Sequence, residues 1–171
     1  GGTLLVGVRN NGSLAGIRSE DEKYMLELDG HMYCKPSIDV NFREYEIEGK
    51  TIIEATIPEG FNKPYYARDT DGKWWVYNRV FDKSLQASAV MFQVIKRKNA
   101  NSTTILKYSF LENQILNYLK SVPNSTLQEM VHTLAVKKHR VIHSLGKLIY
   151  FNLITVGFAN KQETYALSPT G

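Results

Sequence analysis

The chemically richest stretch of the chain is Lys137-Lys138-His139-Arg140, followed by His143, Ser144 and Lys147. These side chains do not form a bond-making set. They are hydrogen-bond donors and cations, suited to phosphates and to base edges in a DNA groove. On helical spacing Val141, Leu145, Leu148 and Ile149 turn inward, so those seven polar residues, and Ile142 with them, point away from the core. Further on, Asn160, Lys161 and Gln162 occupy a turn whose tip is placed to meet the duplex backbone. His139 and His143 are spaced i, i+4 as a metal pair would be. A third ligand such as His132 would be needed, and neighbouring lysines repel a dication, so no metal site is assigned. The single cysteine, Cys34, has no histidine or second cysteine in a recognisable pattern with it and reads as a packing residue.

The elements that must present this basic head are legible around it. Ser109 caps a helix with Leu111, Ile115, Leu116 and Leu119 on one face, and Val122-Pro123-Asn124 breaks it. Ser125 and Gln128 make a capping-box pattern for a second helix carrying Leu127, Met130, Val131 and Leu134. A third helix covers residues 137–151, and two strands at 153–158 and 163–167 follow as a hairpin. Three helices and a hairpin is the winged helix-turn-helix order, in which the N-terminal residues of the motif's second helix reach base edges. Charge agrees with this placement. Residues 1–98 carry 14 Lys/Arg against 14 Asp/Glu, whereas residues 99–171 carry 7 against 3.

The front half is richer in strands. Residues 3–8 and 13–17 read as a hairpin around Arg9-Asn10-Asn11-Gly12, because Asn-Gly tolerates positive φ. Ser19 is the expected cap of a helix running to about Leu28. Strands are expected at 40–46 and 51–57 around Glu48-Gly49-Lys50, and at 64–68 and 74–77 around Asp69-Thr70-Asp71-Gly72. Residues 86–96 fit a short helix or a terminal strand. Arg9, Lys63, Arg68, Arg79 and Lys83 interleave with Tyr65, Tyr66, Trp74, Trp75 and Tyr77. Such a mixture holds nucleic-acid backbone while stacking unpaired bases. Strand aromatics equally serve as core or cross-strand pairs.

Several of these residues carry a family likeness. Gly1-Gly2-Thr3-Leu4-Leu5-Val6-Gly7-Val8, the Asn11-Gly12 turn and Gly16-Ile17 resemble the opening of the Schlafen/Alba-like domain, long labelled divergent AAA. Asn62-Lys63-Pro64-Tyr65-Tyr66 is similar to its Lys-Pro-aromatic strand, Val76-Tyr77-Asn78-Arg79-Val80 to its Tyr-apolar-Arg strand, and Ala87-Ser88 to its trailing Ala-Ser/Thr. The resemblance implies an α+β fold, a nucleic-acid-binding role and frequent fusion to a C-terminal winged helix. Nuclease members hold a dication on carboxylates, because hard cations take oxygen ligands. Here Arg9-Asn10 stands where the family's Asp would sit, and the Glu-rich upstream segment is not in the sequence. No phosphate-cradling Gly-x-x-x-x-Gly-Lys-Ser/Thr loop supports the ATP label.

The expectation is therefore an α+β protein with a Schlafen/Alba-like domain at 1–98, preceded by a segment not in this sequence. A linker at 99–108 and a winged helix-turn-helix at 109–171 follow. It is read as a cytoplasmic bacterial transcriptional regulator, not an enzyme, that binds double-stranded DNA as a homodimer. No cofactor and no membrane contact are expected, and an effector is left to the front half. The competing readings are a nuclease or NTPase completed by upstream residues, and an assembly module hooked through Ile142.

Overall fold

The computed structural model describes residues 1–80, 83–99, 107–160 and 162–169. They form a mixed α+β architecture divided into two compact units, Gly1–Leu85 and Gln86–Gly171.

In the first unit, β1 (Gly2–Val6) and β3 (Asn41–Ile47) flank β4 (Lys50–Ile57) in an antiparallel sheet of order β1-β4-β3. The β3–β4 hairpin turns at Glu48 and Gly49, both at positive φ, as its sequence implied. Ile52, Ile53 and Ala55 on the central strand are buried. The expected β1 hairpin does not form. β1 pairs with β4 from Gly2↔Ile57 to Val6↔Ile53, and residues 13–16 fold back only on Gly7 to Arg9, through the Val8↔Leu14 bridge and bonds from the Arg9 N–H to Ser13 and from the Ala15 and Gly16 N–H groups to Gly7. Asn11-Gly12 does make its tight turn, with the Gly12 N–H donating to the Arg9 carbonyl at 2.8 Å. The return segment leaves β1 because Gly7 and Gly16 are both at positive φ, and the Ile17 N–H donates to the Thr51 carbonyl of β4 at 2.9 Å.

Helix α1 (Asp21–Met32) runs past the expected Leu28, and Ser19 is not its cap. It continues through Gly30, whose missing side chain lets the Ile38 carbonyl approach to 2.6 Å of a Cβ position. A second sheet joins β2 (Cys34–Lys35), β5 (Tyr66–Arg68) and β6 (Trp74–Trp75), and β7 (Tyr77–Val80) pairs with β8 (Lys83–Gln86).

The second unit begins with α2 (Ala89–Asn99), which resolves the ambiguity at 86–96 in favour of helix. It belongs here, 13 residues before the expected boundary at 98, because Val90 is buried in the same core as Leu145 and Leu148. Helices α3 (Phe110–Ser121), α4 (Leu127–Leu134) and α5 (Lys138–Tyr150) follow, then the hairpin β9 (Ile154–Ala159) and β10 (Gln162–Leu167). This is the expected order of elements. Leu111, Ile115, Leu119, Met130, Val141, Ile154 and Tyr165 complete the core.

Two capping boxes start α3 and α4: Ser109 with Glu112, and Thr126 with Glu129. The second lies one residue beyond the expected Ser125–Gln128 pair. Ser125 is buried instead, its hydroxyl donating to the Val122 carbonyl while its backbone bridges to Tyr165. Of the expected linker, residues 100–106 lie outside the described residues.

Candidate nucleic-acid interface

Helix α5 starts unlike its neighbours. Its N-cap, Lys137, makes no side-chain cap bond, and no acidic residue occupies the first turn. Lys137, Lys138, His139 and Arg140 stand exposed there. A helix N-terminus carries unpaired N–H groups and a partial positive charge, so cations there work against the helix that holds them. Both features favour an incoming anion.

The remaining expected contacts are placed differently. Ser144 is only 5% exposed and turns into the core, so it is no groove contact. Lys147 donates to Glu112 Oε2 at 2.9 Å and to the Lys107 carbonyl at 2.6 Å, which makes it a structural tether rather than a backbone anchor. Glu112 is buried. Burial alone raises its pKa, but the Ser109 N–H and the Lys147 ammonium outweigh that and hold the carboxyl below its ordinary range. Ile142 is half-buried against the core and offers no exposed hook. Lys161 lies outside the described residues, and its neighbours Asn160 and Gln162 are exposed.

His143 is engaged by α2. Its Nε2 lies 2.7 Å from an Arg97 guanidinium nitrogen, so the neutral ring accepts there. Burial first and the Arg97 charge second depress its pKa, against a smaller opposing effect of Glu112. Among the described residues no group of three His, Cys, Asp or Glu side chains could hold a metal ion.

Sequence reasoning left α2 open as helix or strand and missed its packing on α5. A Cβ on Gly146 would lie 2.6 Å from the Cβ of Gln93 and 3.4 Å from the Val90 carbonyl, so the two helices touch backbone to backbone. Residues 143 and 146 lie on the side of α5 opposite Val141 and Leu145, and α2 meets that side at both, through Arg97 at His143 and through Val90 and Gln93 at Gly146. The available signals were a glycine inside a helix and the basic run Lys96-Arg97-Lys98.

In the first unit Lys63 and Arg79 line one cleft of about 860 Å³, together with Asn62, Tyr65, Ser84 and the fully displayed Phe61. Lys63 pairs with Glu59, and Arg79 donates to the Ser84 hydroxyl at 3.3 Å. Arg9 and Arg68 are exposed but do not line this cleft. Of the aromatics, Trp75 and Tyr77 are exposed; the Trp75 indole donates to Asp69 at 2.7 Å, and Lys35 sits 5.0 Å from the Trp74 ring centre. Cys34 is half-buried, and burial pushes its thiol pKa up, away from nucleophilic use.

Charge divides with the fold. Residues 1–85 hold 11 Lys/Arg and 14 Asp/Glu, a balance of −3, while residues 86–171 hold 10 and 3, a balance of +7. Among the described residues no helix is long and apolar enough to cross a membrane.

Comparison with curated proteins and with solved structures finds no match. Residues 1–88 match the family model described as Schlafen, AlbA_2, whose span ends three residues past the first compact unit. That family is consistent with nucleic-acid binding. The likeness carried by the Gly-Gly opening, the Lys63-Pro64-Tyr65-Tyr66 strand and the Ala87-Ser88 end is thus a true kinship, and the chain belongs to the Schlafen/AlbA_2 family.

Proposed function

We propose that the protein is a bacterial transcriptional regulator that binds double-stranded DNA through its second unit, a winged helix-turn-helix. The supporting observation is the uncapped first turn of α5, which displays Lys137, Lys138, His139 and Arg140 on a unit of balance +7. A cationic turn at a positive helix end is locally unfavourable, and a bound phosphate relieves both charges at once. Arg140 is assigned to a base edge, the two lysines to phosphates and His139 to either. The exposed hairpin tip at Asn160 and Gln162 stands where a wing would follow the backbone. The protein acts by occupying its site in the cytoplasm, without catalysis or a cofactor.

Operator reading by such modules is dimeric, since a two-fold protein matches two half-sites. The homodimer contact is assigned to α1, where Met25, Leu28 and Met32 form an exposed apolar stripe at helical spacing. Met25→Lys/Met32→Lys should halve the mass seen by sedimentation equilibrium. An unchanged mass would remove α1 from the assembly.

The test of the DNA reading is Arg140→Ala measured against a panel of duplex sequences. The substitution should cost ~1–3 kcal/mol on the preferred site and flatten the preference there, while Lys138→Ala weakens all duplexes alike. Equal loss across every sequence for Arg140→Ala would deny it a base contact.

A further inference from the structure

We infer that α2 and α5 form one composite DNA-facing surface, in which Lys96 and Lys98 of α2 take phosphates on the rim of the groove that α5 enters. The inference rests on the DNA-binding reading above and extends it to an element outside the helix-turn-helix. α2 runs antiparallel to α5. Val90 and Gln93 lie against Gly146, and Arg97, one turn later, reaches back to His143. The last turn of α2 therefore sits beside the half of α5 that opens with Lys138, His139 and Arg140.

That turn has its cations sorted by task. Arg97 is committed inward, bonded to His143 with its Nε buried. Lys96 and Lys98 flank it on the helix and are both exposed. Neither belongs to an ion pair among the described residues, and α2 carries no acidic side chain; Lys96 rests 5.7 Å from the Phe92 ring centre. Cations at a helix C-terminus offset its dipole, which accounts for a basic residue there. It does not account for an acid-free helix closely joined to a second basic turn.

Groove dimensions supply the geometry. The major groove is about 12 Å wide and admits one helix. Packed helices have axes roughly 8–10 Å apart, so two cannot enter side by side. The outward side of α5 is closed by α2 at Gly146, while His143, though bonded to Arg97, stays exposed, so α5 enters by its N-terminal half. A helix seated beside it then stands over the groove's edge, where the phosphates are.

The experiment titrates the full chain against a duplex of about two helical turns, by fluorescence anisotropy, between about 50 and 200 mM salt. Wild type is compared with Lys96→Ala/Lys98→Ala and with Lys137→Ala/Lys138→Ala/Arg140→Ala, each checked for an unchanged circular-dichroism melt. The α2 variant should lose about 1.8 from the slope of log affinity against log salt, roughly 0.9 per phosphate. Lys96→Arg/Lys98→Arg should restore it. If the α5 variant reduces the slope and the α2 variant does not, the composite surface is overturned while the DNA reading stands. If wild type fails to bind duplex, or neither variant alters the slope, both fall together.

Discussion

At the scale of single residues, the account separates side chains that hold the fold from side chains free to meet a ligand. Lys147 is the sharpest case. Its pairing with buried Glu112 predicts that Lys147→Ala lowers stability by about 1–3 kcal/mol, because it strands a buried carboxylate, yet leaves the salt slope of duplex binding unchanged. Urea titration and anisotropy on the same variant separate the two effects. A reduced slope at constant stability would return Lys147 to the interface. His143 and Glu112 also set a pH dependence. Both have pKa values held below their ordinary 6.5 and 4.5, so in each case the unfolded chain takes up its proton first. Stability should be fully present above pH ~6.5 and decline as pH falls below it, first through His143, then further below about 4.5 through Glu112. His143→Gln should remove the upper decline and leave the lower one. A melting temperature flat between pH 7 and 5 in wild type would contradict the Arg97–His143 contact.

At the scale of elements, α5 is defined by what lies on each of its sides. Gly146 is the point of closest approach to α2, and Gly146→Ala brings a Cβ to 2.6 Å of Gln93. Alanine gains about 1 kcal/mol of helix propensity, but separating two packed helices costs about 1–3, so a net loss of stability is expected. Both tryptophans lie in the first unit, so helical circular dichroism is the probe for this effect rather than tryptophan fluorescence. A more stable variant would show that α2 yields at that point without cost. The same pair of helices shows where sequence was informative. Helices α3 to α5 were legible because Leu111, Ile115, Leu119, Met130, Val141 and Leu145 recur at helical spacing, behind hydroxyl caps in α3 and α4. The cap of α4 shifted by one residue because Ser125–Gln128 and Thr126–Glu129 both satisfy the capping pattern, and only the distant pairing of Ser125 with Tyr165 decides between them. The apolar run from Val90 to Ile95, broken only by Gln93, carries no clear period. The side of α5 taken for solvent is met at His143 by Arg97, 46 residues upstream. Ser144 and Ile142 were misread because they share the core side with Val141, Leu148 and Ile149, and Lys147 because its partner Glu112 stands on another helix, which spacing along α5 does not reveal.

At the scale of the molecule, two units of opposite balance, −3 and +7, share one chain. The family likeness covers the acidic unit, whereas the exposed cationic turn stands on the basic one. An anionic polymer is attracted by the second unit and repelled on average by the first, so duplex affinity should follow the second unit's charge. The Lys63–Arg79 cleft is the front unit's alternative. Lys63→Ala/Arg79→Ala should leave duplex affinity within about twofold, since surface cations on a net-negative unit add little to a long-range field. The most direct measurement is duplex affinity of the full chain at low and at physiological salt, with Lys137→Ala/Lys138→Ala/Arg140→Ala alongside. The account predicts binding that falls at least tenfold between about 50 and 200 mM salt in wild type and loses most of that dependence in the variant. Duplex binding that persists undiminished in the variant, or no duplex binding by wild type, would contradict it.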